Sequence, residues 1–282
     1  MAYRLSLLTT LLAAATAPAV VRAAVPAVEG FTLAWSDDFE GAAGSLPKIQ
    51  TYTKDPANVQ LDGKGNVKIT AIKKGETWTS ARIETQRKDF LAPVGGKMRI
   101  QASLSTPKVA QPLGYWPAFW TLGAAFRGVY TNWPMVGEFD ILESVNGEDK
   151  VYATLHCGTA PGGPCNENEG IGSSKAGCPG KPCPANFHTY ALEVDRTGGA
   201  GQEKMTWFVD GVQYHQILPG KIEASAWKEA VTKPHFLLMN LAIGGAAEYV
   251  AVYYSTGSGG NKTARAVADV NSGGKLGAKY FS

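Results

Sequence analysis

The sequence predicts an all-β domain, a sandwich of two antiparallel sheets. Three observations carry this. Apolar residues recur with period two in segment after segment, and turn dipeptides punctuate those segments. The chain is also rich in glycine and aromatics, with 33 Gly and 10% Phe, Tyr and Trp against 18% charged residues, which suits short strands and tight turns rather than disorder.

Taken in order, strands are expected at Val67–Ile72, Lys97–Ala102, Tyr152–His156, His188–Val194, Lys204–Val209, His235–Ile243 and Tyr249–Tyr254. Turns are expected at Asp62-Gly63, Gly95-Gly96, Asn146-Gly147, Gly198-Gly199 and Asp210-Gly211. Only Ile222–Val231 has a helical pattern. No repeat or internal linker interrupts the order, so residues 24–254 are expected to form one domain, with a Gly- and Lys-rich tail over 255–282. The sequon Asn261-Lys262-Thr263 in that tail fits an exposed, exported segment.

Residues 1–23 read as a signal peptide: Arg4, an apolar run from Leu5 to Val21, then small residues at Ala23 and Ala24. Thr9, Thr10, Thr16 and Pro18 interrupt the run, which falls short of the roughly 20 apolar residues of a spanning helix. The mature protein is therefore expected outside the cell or in its wall, away from the membrane. The net charge of +3, without a long basic run, argues against nucleic acid as a partner.

All four cysteines, Cys157, Cys165, Cys178 and Cys183, fall in one loop-like stretch over 157–186. An exported chain favours two disulfides over a zinc site, and paired C-x2-C knuckles are absent; three pairings are open.

The segment Glu138-Phe139-Asp140-Ile141-Leu142-Glu143 sets three carboxylates among large apolar residues. In a regular strand Glu138 and Asp140 share a face while Glu143, five residues on, points to the other. A β-bulge at Ile141-Leu142 would turn Glu143 back beside them. Crowded carboxylates raise one another's pKa, so one can attack a sugar carbon while another delivers a proton, as in glycoside hydrolysis. In the retaining variant the two groups lie roughly 5–5.5 Å apart. Asp140, between them, could hold the nucleophile by a hydrogen bond.

At these residues the chain closely resembles glycoside hydrolase family 16, in its laminarinase branch, which carries E-x-D-x-x-E. Similar stretches follow the family's order: Asp37-Asp38-Phe39, Trp116-Pro117-Ala118-Phe119-Trp120, Thr154-Leu155-His156 and Asn240-Leu241-Ala242-Ile243-Gly244-Gly245. The resemblance implies a β-jelly-roll with a concave substrate cleft, acting on β-glucan as an endo-β-1,3(4)-glucanase; an open-cleft enzyme of this size needs no partner, so a monomer is expected. It implies Glu138 as nucleophile, Asp140 as its support, Glu143 as acid/base and His156 as a supporting neighbour.

Trp116, Trp120 and Trp133 suit stacking on sugar C–H faces, with core packing as the alternative. Asn58 and Arg82 align with sugar-contacting positions. No cofactor or metal is expected for the chemistry. Some members hold a structural calcium near an Asp, and Glu248 stands there instead, which leaves such a site open. The stretch from Gly245 to Tyr249 is shorter than is common in the family. Two other functions fit the scaffold: a glucan-binding protein, disfavoured because both glutamates are present, and a cell-wall transglycosylase.

Overall fold

The computed structural model describes residues 25–51, 54–106, 108, 113–244 and 249–255. The expected signal peptide, the tail beyond Ser255, the sequon and Glu248 lie outside the described residues. No described helix is long and apolar enough to cross a membrane.

Fifteen strands are present among the described residues. The first seven are β1 (Gln50–Thr51), β2 (Val59–Leu61), β3 (Asn66–Lys74), β4 (Thr77–Thr79), β5 (Arg82–Glu84), β6 (Lys97–Ser105) and β7 (Tyr115–Gly123). They are followed by β8 (Glu138–Glu143), β9 (Tyr152–His156), β10 (Ile171–Gly172), β11 (His188–Asp195), β12 (Lys204–Val209) and β13 (Val212–Ile217). A short helix, α1 (Ala224–Val231), precedes β14 (His235–Ile243) and β15 (Tyr249–Ser255). One sheet runs β1-β5-β14-β7-β8-β9-β10, and the other β13-β12-β11-β6-β15-β3-β2 with β4 against β3. Every named pairing is antiparallel.

The two sheets bury alternate side chains against each other. Ile100, Leu104, Leu192, Met205 and Trp207 of one meet Phe119, Phe139, Leu155, Met239 and Leu241 of the other. Removing each such side chain from water contributes about 1.5–3 kcal/mol. A smaller apolar cluster lies on the opposite face of β7 and β14: Ala118, Trp120, Leu122, Phe126, Val136, Phe236 and Leu238, with Trp133 against it. The central strands are thus covered on both faces, and the candidate site stands beside the smaller cluster.

The helix is two residues shorter than its pattern suggested, since Ile222 precedes it with extended backbone. The strand β13 carries little apolar periodicity and buries only Ile217, so it escapes the pattern. The cysteines pair as neighbours, Cys157–Cys165 and Cys178–Cys183.

Candidate active site

The strand β8 shows how the carboxylates converge. Glu138 lies opposite Leu122 on β7 and His156 on β9, while Glu143 lies opposite Ala118 and Tyr152. The neighbours advance by four residues while β8 advances by five, and the register shifts between Asp140 and Glu143. The extra residue is absorbed by sending both Ile141 and Leu142 into the main core. Glu138, Asp140 and Glu143 are left on the other face, 0%, 0% and 8% exposed.

A bulge releases carbonyls from the ladder, and a buried carbonyl needs a donor. The opposite sheet supplies both: Trp207 Nε1 donates to the Asp140 carbonyl (2.8 Å) and the Tyr214 hydroxyl to that of Ile141 (3.3 Å). Burial, and then the charges of Asp140 and Glu143, push the Tyr214 phenol up, so it stays a donor. The entry to β8 is equally constrained. Gly137 has φ +80°, and a Cβ there would lie 2.7 Å from Ala230 Cα, so only glycine fits.

Each outer glutamate accepts an indole N–H. Trp133 Nε1 donates to Glu138 Oε2 (3.1 Å) and Trp116 Nε1 to Glu143 Oε1 (2.7 Å). Asp140 Oδ2 lies 3.3 Å from His156 Nε2, and the other ring nitrogen, Nδ1, lies 2.8 Å from Glu167 Oε2. Burial alone would lower the pKa of His156. Hydrogen bonds to Asp140 and Glu167, with the charges of Asp140 and Glu138, outweigh that and push it up to about 10. The ring thus hydrogen-bonds Glu167 through Nδ1, while Nε2 faces the Asp140 carboxylate at ion-pair distance. Polar atoms of Glu138, Asp140 and His156 lie within 4.8 Å of one another.

Two expectations need correction. Trp120 is 0% exposed, its indole N–H donating to Asn240 Oδ1 (2.7 Å), so it floors the site and cannot stack on a sugar. Asn58 is 1% exposed at the edge of the other sheet, its amide donating to the Thr70 carbonyl and Thr79 Oγ1, so it braces the fold rather than facing the site. Arg82 does reach this face: it pairs with Asn240, and its guanidinium lies 5.3 Å from the Trp120 ring centroid. Trp116 and Trp133 stand at the site, half-buried.

Three polar residues escaped the sequence reading. Asn240 was visible only as part of a motif. Glu84, 1% exposed and paired with Arg127 (2.7 Å), sits behind Arg82. Glu167, in the cysteine loop, carries no periodic signal at all.

Comparison with known proteins bears on this geometry. A family model described as the XgeA-like, catalytic GH16 domain matches residues 54–191. The crystal structure of endo-1,3-β-glucanase from Streptomyces sioyaensis superposes with a TM-score of 0.77 at 39% identity, covering 83% of this chain and 97% of that one. The chain belongs to glycoside hydrolase family 16. More distant family relatives are a β-glucanase of Rhodothermus marinus, 29% identical over 220 residues, and a glucan endo-1,3-β-glucosidase A1 of Niallia circulans, 26% identical over 256. These matches take in 75% and 78% of this chain, and 70% and 35% of the respective relatives, so the chain spans about a third of the Niallia protein's length. The sandwich described above is thus a family 16 catalytic fold, and the bulged β8 lies within the matched residues.

Proposed function

We propose that the chain is an exported, monomeric, retaining endo-β-1,3-glucanase that also admits mixed β-1,3/1,4-glucans. The observation that carries this is the bulge that sets Glu138 and Glu143 on one face with Asp140 between them. Export is supported by two disulfides among the described residues, which suit an oxidising compartment, together with the leader-like residues 1–23.

Glu138 attacks the anomeric carbon while the Glu143 carboxyl group gives its proton to the departing glycosidic oxygen. The resulting glycosyl ester on Glu138 is inverted at that carbon. Glu143, now a carboxylate, takes a proton from water; the water attacks the same carbon, breaks the ester and restores the starting configuration. Asp140 passes the influence of the His156 imidazolium to the pair. Trp133 and Trp116 fix the two carboxylates through their N–H groups.

The test is azide rescue on a β-1,3-glucan oligosaccharide. Glu138→Ala with azide should give the α-glycosyl azide, and Glu143→Ala the β-product. Ordinary activity in Glu138→Ala would overturn the assignment. Purified protein on laminarin should release short oligosaccharides; products longer than the substrate would mark a transglycosylase, and no products at all a binding protein.

A further inference from the structure

The loop over 157–186 is built around His156. Glu167 is 5% exposed, and its carboxylate makes two contacts: Oε2 faces His156 Nδ1, and Oε1 accepts the backbone N–H of Cys157, both at 2.8 Å. Backbone hydrogen bonds between Gly162 and Glu167 run in both directions and hold the segment flat. Gly170 closes over the ring with φ +72°: a Cβ there would stand 2.9 Å from His156 Nδ1 and 2.5 Å from Thr154 Cγ2. The Trp133 ring covers the imidazole with centroids 5.5 Å apart. The Cys157–Cys165 crosslink joins the residue after His156 to the residue two before Glu167.

We propose that Glu167 is a positioning residue for the glycosidase chemistry, fixing the His156 ring through Nδ1 so that Nε2 faces Asp140, and that the Cys157–Cys165 crosslink keeps it in place. This rests on the hydrolase reading above. The charged groups facing the ring are Asp140 and Glu138 from β8 and Glu167 from the loop. With the Glu167 carboxylate in place, Nδ1 has its partner and Nε2 is aimed at Asp140. Without it, Nδ1 loses its acceptor, and the ring can turn or give up a proton inside the working pH range. Asp140 then faces a neutral partner, and the balance of charge beside Glu138 and Glu143 changes. Without the crosslink Cys165 is no longer tied to Cys157, and the restraint on Glu167 two residues further on is lost.

Glu167→Gln tests this at nearly constant shape. Steady-state kinetics on a β-1,3-glucan oligosaccharide should show kcat down roughly 10-fold, as for carboxylates that orient ligating histidines, with KM within about twofold. The alkaline limb of the kcat profile should move to lower pH. Histidine-selective NMR on the intact protein should show the His156 midpoint at least about one unit below wild type. Cys157→Ser with Cys165→Ser, leaving Cys178–Cys183 intact, should move both readouts in the same direction by less. A wild-type midpoint and wild-type kcat in Glu167→Gln would overturn the proposal, and an unchanged midpoint in the double serine variant would overturn the role of the crosslink. The NMR readout needs no substrate, so it decides Glu167 even if the wild-type chain cleaves no β-glucan.

Discussion

The indole N–H of Trp207 reaches across the sandwich to the backbone carbonyl of Asp140, 2.8 Å away. The contact joins a core residue on one sheet to the strand that bears the carboxylates on the other. It satisfies a carbonyl that the bulge removes from the ladder. Trp207→Phe leaves that carbonyl without a donor, which should cost about 1–3 kcal/mol in stability. Because the carbonyl belongs to the bulge, kcat should fall while KM changes little. Urea denaturation and steady-state kinetics check the two effects separately, and a stability loss with unchanged kcat would show that the bulge holds without the indole.

The bulge makes a second, less obvious expectation. Deleting Ile141 restores pairing one to one, with Phe139 and Leu142 inward and Asp140 and Glu143 still on the site face. The deletion should therefore keep measurable glucanase activity, at a cost of about 2–5 kcal/mol for the lost buried side chain. Inserting an alanine after Ile141 instead should turn Glu143 into the core and abolish activity. A folded but fully inactive deletion variant would mean that the bulge sets carboxylate spacing as well as facing.

Two buried histidines shape stability in opposite directions. His235 stacks on Phe139 with centroids 4.1 Å apart, its ring facing Thr121 Oγ1 and the Ala230 carbonyl. Burial, partly offset by the Ala230 carbonyl, pushes its pKa down to about 4 from 6.5. As pH falls from 6.5 toward 4 the unfolded chain binds a proton that the folded one refuses, so stability declines. His156 does the reverse: above pH 6.5 the unfolded chain releases a proton that the folded one keeps up to about pH 10, so stability declines as pH rises through that window. Each slope approaches about 1.4 kcal/mol per pH unit. Denaturant midpoints across pH should peak near neutrality, with the acid slope flattened in His235→Gln and the alkaline slope in Glu167→Gln. Equal slopes in variants and wild type would place the pH dependence elsewhere.

Much of this was legible in the chain itself. Lys97–Ser105 announces itself by alternation because one face is buried, and His235–Ile243 by a nearly continuous apolar run because both faces are covered. The five-residue interval from Glu138 to Glu143 calls for an irregular strand, since only an extra residue reconciles it with one face. Other features are properties of the assembled fold. Trp120 and Trp116 have the same spacing logic and chemistry, and only the assembled cover of Phe126, Val136, β14 and Arg82 makes one sealed and the other half-open. Asn58 has the right residue type for a sugar contact, but its amide is enclosed by β3 and β4. Glu167 lies between Asn166 and Asn168 in a stretch without periodicity, and its meaning depends on a chain reversal that brings it back to the end of β9.

Both crosslinks are short, spanning eight and five residues, and neither joins one sheet to the other. Each stabilises by only ~2–3 kcal/mol through its small ring, yet Cys157, Cys165 and Cys183 are also buried members of the main core. The Cys157–Cys165 bridge therefore acts twice at one place: it closes the loop that carries Glu167, and it fills the core beneath the end of β9. The cap over His156 and the packing under it thus share one pair of sulfurs.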